Sequence, residues 1–369
     1  MSRAAVARLS KSHLAHNFAE AERRAGSAEV YAVVKADAYG HGLVPTAQVL
    51  ACAGAKHFAV ACLEEAEALR AAGRNESVLL LEGAVDRDEL ERALQLDLDL
   101  VFHTLDQVDD LAVLAGRGLD HRALMRTWLK LDTGMNRLGF SALELRHAWS
   151  RLMQLLAPAT PGMMSHLANA DADICGQPGT LTATQLLRFN QAVASVHART
   201  TSLCNSAGLL RELRCDSWMR PGIMLYGISP LADTCAQDLE LRPVMTFESR
   251  VIAVREVGAG DGVGYASTWR APVRSRIAVI AAGYGDGYPR YAPNGTPVLV
   301  NGHKAALVGR VSMDMLTVDV TSLPKVARGD KVVLWGQGLP AEQVAQHAGT
   351  IAYALLCGVT NRVRREWHD

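Results

Sequence analysis

From about residue 30 to residue 228 the chain alternates short apolar runs with longer stretches whose apolar residues recur every three or four positions. The short runs are EVYAVVKA (29–36), HFAVAC (57–62), SVLLLE (77–82), DLDLVF (97–102), ALMRTWLKLD (123–132), GMMSHLA (162–168), TSLCNS (201–206) and SWMRPGIMLYG (217–227). Runs this short and this continuously apolar predict strands buried on both faces, as parallel strands covered by helices are. LEEAEALRAAG (63–73) and TATQLLRFNQAVASVHA (182–198) carry the helical spacing between them. About eight strand–helix units in series predict an α/β fold, a (β/α)8 barrel of the TIM type. An open doubly wound sheet is the alternative, but no G-x-G-x-x-G follows a strand and no G-x-x-x-x-G-K-S/T loop is present.

Beyond about residue 235 the helical period gives way to β-like runs: VMTFESRVIAV, RIAVIAAGY, TPVLVNG, AALVGRV, MLTVDV and DKVVLWG. Gly and Pro punctuate them, as in VGAGDGVGY and YPRYAPNGTP, and one late helix is predicted over LPAEQVAQHAG (339–349). This divides the chain into a barrel domain, 1–234, and a C-terminal mostly β domain, 235–369, with residues 1–10 read as an added strand of the second.

Composition narrows the function classes. With 369 residues, 49% apolar, two sizeable cores are affordable. Lys plus Arg and Asp plus Glu both number 38, so no net positive field draws nucleic acid or an anionic membrane. No window reads as a membrane span or a secretory signal. The seven cysteines are widely spaced and form no C-x-x-C pair, which points to reduced thiols and a cytoplasmic setting rather than a disulfide framework or a metal site.

In a (β/α)8 barrel, chemistry belongs where strands end and βα-loops begin. Those positions carry Lys35, Arg137, Ser165–His166, Asn205–Ser206 and Arg220. Cations, hydroxyls and backbone amides converging on one mouth suit a phosphate and a carboxylate. Lys35 closes an apolar run. Its bland reading is a strand-end lysine whose amine snorkels to water. Its functional reading is an amine whose pKa burial lowers, so that it can add to a carbonyl.

Several segments together carry a resemblance. AVVKADAYGHG (32–42) is similar to the cofactor-lysine motif of alanine racemases. LKLDTGMNRLGF, SHLANAD, NSAG and RPGIMLYG follow in the family's order, and VGYAS, AAGYGDGYPR, GRVSMDMLTVD and YALLC continue it to residue 357. The resemblance implies a homodimeric, pyridoxal-phosphate-dependent isomerase that interconverts L- and D-alanine by two bases. It assigns Lys35 to the covalent hold on the cofactor and to one base. Tyr265 is the base on the opposite face, contributed by the other subunit; two such groups are what a racemase needs.

The same resemblance places Arg220 against the pyridine nitrogen, buttressed by His166. A guanidinium cannot accept that nitrogen's proton, so the ring stays a weaker electron sink than one facing a carboxylate. Tyr39, Ser206, the amides of Gly222 and Ile223, and Tyr353 correspond to the phosphate cradle. Arg137 and the partner's Met313 amide correspond to the carboxylate site, Lys130 to a lysine that the family often carries as a carbamate, and Tyr284 and Asp314 to the entrance. The sequence departs from the family at Asp37, where Asn is common, and at Ala266, where Gly is frequent.

Three rivals are weighed. A decarboxylase of the same architecture would place an acid where Arg220 stands. A non-catalytic cofactor-binding barrel would have no use for the β domain and Tyr265. A racemase accepting serine as well as alanine is the nearest, since excluding one small group is worth only about 1–3 kcal/mol. A role in making D-alanine for the cell wall and a role in its catabolism use the same chemistry.

Overall fold

The computed structural model describes residues 3–117, 126–173, 177–213 and 217–369. Strand β1 (Val6–Ser10) precedes eight parallel strands: β2 (Glu29–Val33), β3 (His57–Val60), β4 (Ser77–Leu80), β5 (Asp99–Phe102), β6 (Thr127–Lys130), β7 (Gly162–Met164), β8 (Thr201–Ser202) and β9 (Trp218–Met219). They pair in the order β8-β7-β6-β5-β4-β3-β2-β9. Between β8 and β9 the ring is joined by Ser217 N donating to Thr201 O (3.1 Å) and Arg220 N to Cys204 O (3.0 Å). Each predicted run holds its strand, and all but β5, which ends with its run at Phe102, end earlier than the run. After β2, β7 and β9 the apolar residues continue into loops that line the barrel's mouth. Residues 123–125 of the predicted sixth run lie outside the described residues.

β3, β4, β5 and β6 are buried along nearly their whole length, as strands covered on both faces must be. The opposite end of the barrel is closed by aromatic rings. Tyr31 stacks on Trp218 (centroids 4.5 Å apart), and Gly162 has no room for a side chain because a Cβ would stand 2.6 Å from the Trp128 ring. The Tyr31 hydroxyl, Ser77 Oγ and Arg126 Nε all donate to Asp99, at 2.6, 2.5 and 2.7 Å. This buried carboxylate is fully satisfied and far from the mouth.

The second sheet is built from β10 (Met245–Val257), β13 (Ser275–Ile280), β14 (Pro297–Val300), β15 (His303–Leu307), β16 (Leu316–Asp319), β17 (Lys331–Trp335) and β18 (Arg364–His368), with the small ribbon β11 (Gly262–Val263) and β12 (Trp269–Arg270) beside it. An irregularity in register between Val251 and Ala253 lets β10 pair with β17 along one half and β13 along the other. Residues 6–10 join this sheet, antiparallel to β10 and parallel to β18, so the first strand leaves the barrel's own sequence neighbourhood. The C-terminal strand β18 was not foreseen: its alternation is masked by six charged or imidazole side chains in RVRREWHD. Helices Ala341–His347 and Ala352–Cys357 follow β17, the first inside its predicted span. No described helix is long and apolar enough to cross a membrane.

Candidate active site

Strand β2 runs straight into Val34 and Lys35, and there the backbone reverses its hand. Ala36, Asp37, Ala38 and Tyr39 all have φ between 52° and 55°, one turn of left-handed helix made without glycine. Each such residue costs about 1–2 kcal/mol, so the turn survives only because outside groups hold it. Asp37 Oδ1 accepts the Leu43 amide (2.7 Å), an oxygen that Asn would also supply. Arg365 Nε donates to Gly40 O (2.8 Å), and His41, fully buried, donates Nδ1 to the Ala38 and Tyr39 carbonyls. At Gly40, φ is +77° and a Cβ would meet Leu356 O at 2.2 Å, so the C-terminal helix packs directly on the turn.

The turn borders a cavity of about 530 Å³ at the C-terminal mouth of the barrel. Lys35, Tyr39, Lys130, Arg137, His166, Ser206, Arg220, Gly222, Ile223 and Tyr353 all line it. The loop carrying Arg137 is shaped by Asp132, whose Oδ1 accepts the amides of Gly134, Met135 and Asn136 at 2.8, 3.0 and 3.1 Å. Gly139 (φ +130°) closes it, since a Cβ there would lie 2.5 Å from Asp132 N. Asn205 caps the short helix Ser206–Leu210 by accepting Gly208 N (3.0 Å). Ser206 Oγ accepts Gly222 N at 2.8 Å and Met224 N at 3.4 Å. A Cβ on Gly222 would stand 2.4 Å from the Tyr39 hydroxyl, so this corner stays open only to glycine.

Arg220 is buried, with its guanidinium donating to Ser202 Oγ, to Ser165 O (2.5 Å) and to Leu203 O (3.3 Å). Four cations therefore face one cavity, and Glu82 is the acid among its described lining residues. Burial lowers the Lys35 ammonium, with Glu82 and Glu65 opposing and Arg137 reinforcing the shift. Burial and then Arg220, Arg137 and Lys35 push Lys130 down to about 8. Burial and the same cations hold the His166 imidazole well below its usual range, and thus neutral. Burial raises the Tyr39 and Tyr353 phenols, so both are hydrogen-bond donors rather than anions. The mouth is a cationic cavity in which burial disfavours the charged form of two amines, Lys35 and Lys130.

Tyr265, Tyr284, Met313 and Asp314 are not among the residues lining this cavity. Tyr265 is 65% exposed in a short 3-10 turn, Tyr265–Ser267, that follows β11. Its neighbours Gly264 and Ala266 have φ of +72° and +58°, the region that explains a glycine preference at the second position. Met313 is 53% exposed, and its carbonyl accepts Gly285 N (2.9 Å), which fastens it beside Tyr284. Asp314 pairs with Arg362, and Arg3 bridges it to the buried Asp286. Glu82 and Cys357 line the cavity and were missed. Glu82 ends the SVLLLE run just as Lys35 ends its own, a signal that was available; nothing local marks Cys357. Among the described residues no group of His, Cys, Asp or Glu gathers as a metal site.

Comparison with known proteins bears on this geometry. The family model for the alanine racemase N-terminal domain matches residues 9–230, and that for the C-terminal domain matches 244–367. An alanine racemase of Thioalkalivibrio sulfidiphilus is 47% identical, covering 100% of this chain and 99% of that protein. The crystal structure of the biosynthetic alanine racemase from Pseudomonas aeruginosa superposes with a TM-score of 0.92 at 44% identity, covering 100% of both chains. That of Bartonella henselae alanine racemase, with covalently bound pyridoxal phosphate, gives 0.88 at 30% identity, covering 99% of each chain.

Proposed function

We propose, from the premise that this chain belongs to the alanine racemase family, that Lys35 and Tyr265 are the two bases with which it interconverts L- and D-alanine. The reaction depends on pyridoxal phosphate, and the residues at the barrel's mouth fit that group. A corner that only glycine leaves open, at Gly222, lies against the hydroxyls of Tyr39 and Ser206, with Tyr353 lining the same cavity, which suits a phosphate. Arg220 meets the opposite requirement, a fixed cation for the pyridine nitrogen. When bound, the cofactor supplies an electron-withdrawing ring that stabilises negative charge at the substrate's α-carbon.

The protein's own groups do the rest. Lys35 Nζ, whose ammonium form burial disfavours, holds the cofactor and takes or returns the α-proton on one face. Tyr265 Oη serves the other face. Arg137, with the Met313 amide, orients the substrate carboxylate. A neutral Lys130 amine can attack carbon dioxide and lose a proton to give a carbamate, whose negative charge then holds Arg137 in place. Its pKa near 8 supports this. Tyr265, Tyr284, Met313 and Asp314 stand outside the cavity of their own chain, which supports a homodimer in which each copy completes the other's site. On this reading residues 1–234 form the cofactor-binding unit, and 235–369 carry Tyr265 across to the partner. The widely spaced cysteines support a cytoplasmic setting.

The observation that carries the assignment is the half-buried Lys35 amine among three further cations in one cavity. Incubation with L-alanine and, separately, D-alanine should converge on one enantiomer ratio. Borohydride treatment of the holoenzyme should leave the cofactor's mass on the peptide containing Lys35. Mass on any other peptide would overturn the role given to Lys35.

A further inference from the structure

Three successive βα-loops share a small clamp, in which a side chain four residues on accepts a loop amide that precedes the helix. Glu65 Oε2 accepts Ala61 N at 2.9 Å, Glu89 Oε2 accepts Val85 N at 2.7 Å, and Gln107 Oε1 accepts His103 N at 2.8 Å. Each ties the loop to the first turn of the helix that follows, much as a capping box does, and those of Glu65 and Gln107 hold the residue directly after the strand. Glu89 stays within its own unit, whereas Gln107 and Glu65 reach into the preceding one: Gln107 Nε2 donates to Ala84 O at 2.8 Å, and Glu65 uses its second carboxylate oxygen to accept backbone amides there. Its second oxygen, Oε1, accepts Ala36 N at 2.6 Å and lies 3.4 Å from Asp37 N.

Those two amides open the left-handed turn after Lys35. A left-handed turn that follows a strand has no preceding helical carbonyls to receive its first amides, so they must find an acceptor elsewhere. Among the described side chains, Glu65 is the one that accepts both. The carboxylate thus ties the end of β3 to the turn that fixes Lys35 at one end and Tyr39 at the other. Its charge also opposes the lowering of the Lys35 ammonium that burial and Arg137 produce.

We infer that Glu65 is a positioning residue for the cofactor site: by holding the amides of Ala36 and Ala61 on its two carboxylate oxygens, it locks Lys35 and Tyr39 in the relative placement that grips pyridoxal phosphate. The inference rests on the assignment of Lys35 as the cofactor lysine. It concerns a residue that touches neither cofactor nor substrate, so its effect falls on how firmly and in what orientation the cofactor is held. The chemistry of that clamp needs two acceptor oxygens. Glutamine has the same shape but offers only one, and its NH2 group would face a second donor.

The test uses holoenzyme carrying Glu65→Gln, Glu65→Ala or, as a matched clamp that stays within its own unit, Glu89→Ala. The rate at which each surrenders pyridoxal phosphate to an excess of a scavenging protein is followed by visible absorbance. Visible circular dichroism reports the cofactor's orientation, and a thermal melt reports stability. Both Glu65 variants should lose the cofactor roughly tenfold faster than wild type, as expected for loss of a charge-assisted hydrogen bond, with an altered dichroic band. Glu89→Ala should keep wild-type values of both, whatever its melt. Wild-type cofactor loss and dichroism in Glu65→Gln would overturn the inference, because a single acceptor would then suffice. Equal effects in Glu89→Ala and Glu65→Ala would overturn it too, by showing a general stability effect. If Glu65→Ala does not fold, the Gln variant and the Glu89 control still decide. Failure of the Lys35 assignment itself shows separately, as borohydride-fixed cofactor on another peptide of the wild-type protein.

Discussion

The barrel's mouth and the face of the second sheet carry comparable numbers of functional candidates and hold them in opposite ways. At the mouth, Lys35, Lys130, His166 and Arg220 are enclosed, each with a pKa or a hydrogen-bond pattern set by burial and by the other cations. On the second sheet, Tyr265 and Met313 project into solvent from loops whose backbones are well fixed. A buried cluster of like charges is costly unless an anion arrives to pair it. An exposed tyrosine carries no such penalty, but one held on a well-fixed turn presents its ring and hydroxyl to whatever surface meets it. On the proposed function the first region receives a phosphate and a carboxylate, and the second faces another copy of the chain. The site would then be divided, with binding and electrostatics in one protomer's barrel and the second base on its partner's β domain.

That division can be broken most severely from the barrel side. Lys35→Ala should lower racemisation by about a thousandfold or more, because cofactor hold and one base go together. Retained turnover without added amine, read from the enantiomer ratio, would remove Lys35 from the mechanism. Tyr265→Ala should keep the cofactor colour but cost about 10²–10⁴ in racemisation, equally from both enantiomers because the equilibrium constant is one, while exchange of the α-proton with solvent persists from D-alanine and is lost from L-alanine. Loss of exchange from both enantiomers alike would argue against a one-sided base.

Mixing the two inactive variants sharpens the comparison further. Random reassociation makes half the dimers mixed, and each mixed dimer has one intact site of two. About a quarter of wild-type activity should therefore return. No recovery after demonstrated subunit exchange would place both bases in one protomer. The smallest effect is a titration within the barrel. The folded-state pKa of Lys130 lies near 8 against an ordinary 10.5. Between those values the unfolded chain binds more protons than the folded one, so stability rises with pH there, by at most about 1.4 kcal/mol per unit. In carbon-dioxide-free buffer, denaturant melts from pH 8 upward should show this slope, and Lys130→Met should lose it.

Much of this architecture was legible from local pattern. The eight apolar runs located eight strands, and the charged or hydroxyl residue ending several of them fell at the mouth. The switch to short β-like runs marked the second sheet, and residues 6–10 took their expected place in it. Other features had no local signal. Four consecutive positive φ angles at Ala36–Tyr39 contradict the preferences of Ala and Tyr, and no propensity argument would place them there. They exist because Glu65, Arg365 and Leu356, distant in sequence, close around that turn. Cys357 reaches the cavity for the same reason, carried by a helix that packs on Gly40.

The sequence by itself determined which segments are strands and helices, and which side chains stand at the strand ends. Run length, period and turn residues act over a few positions, and the chain encodes them directly. The tertiary structure decided which of those side chains meet. It brought Glu65 of one unit to the amides of another, added Tyr353 from the second domain to the barrel's mouth, and left Tyr265 facing outward. Those outcomes depend on closing a ring of strands and packing a second sheet against it, and contacts between residues hundreds of positions apart follow from that closure rather than from any local spacing.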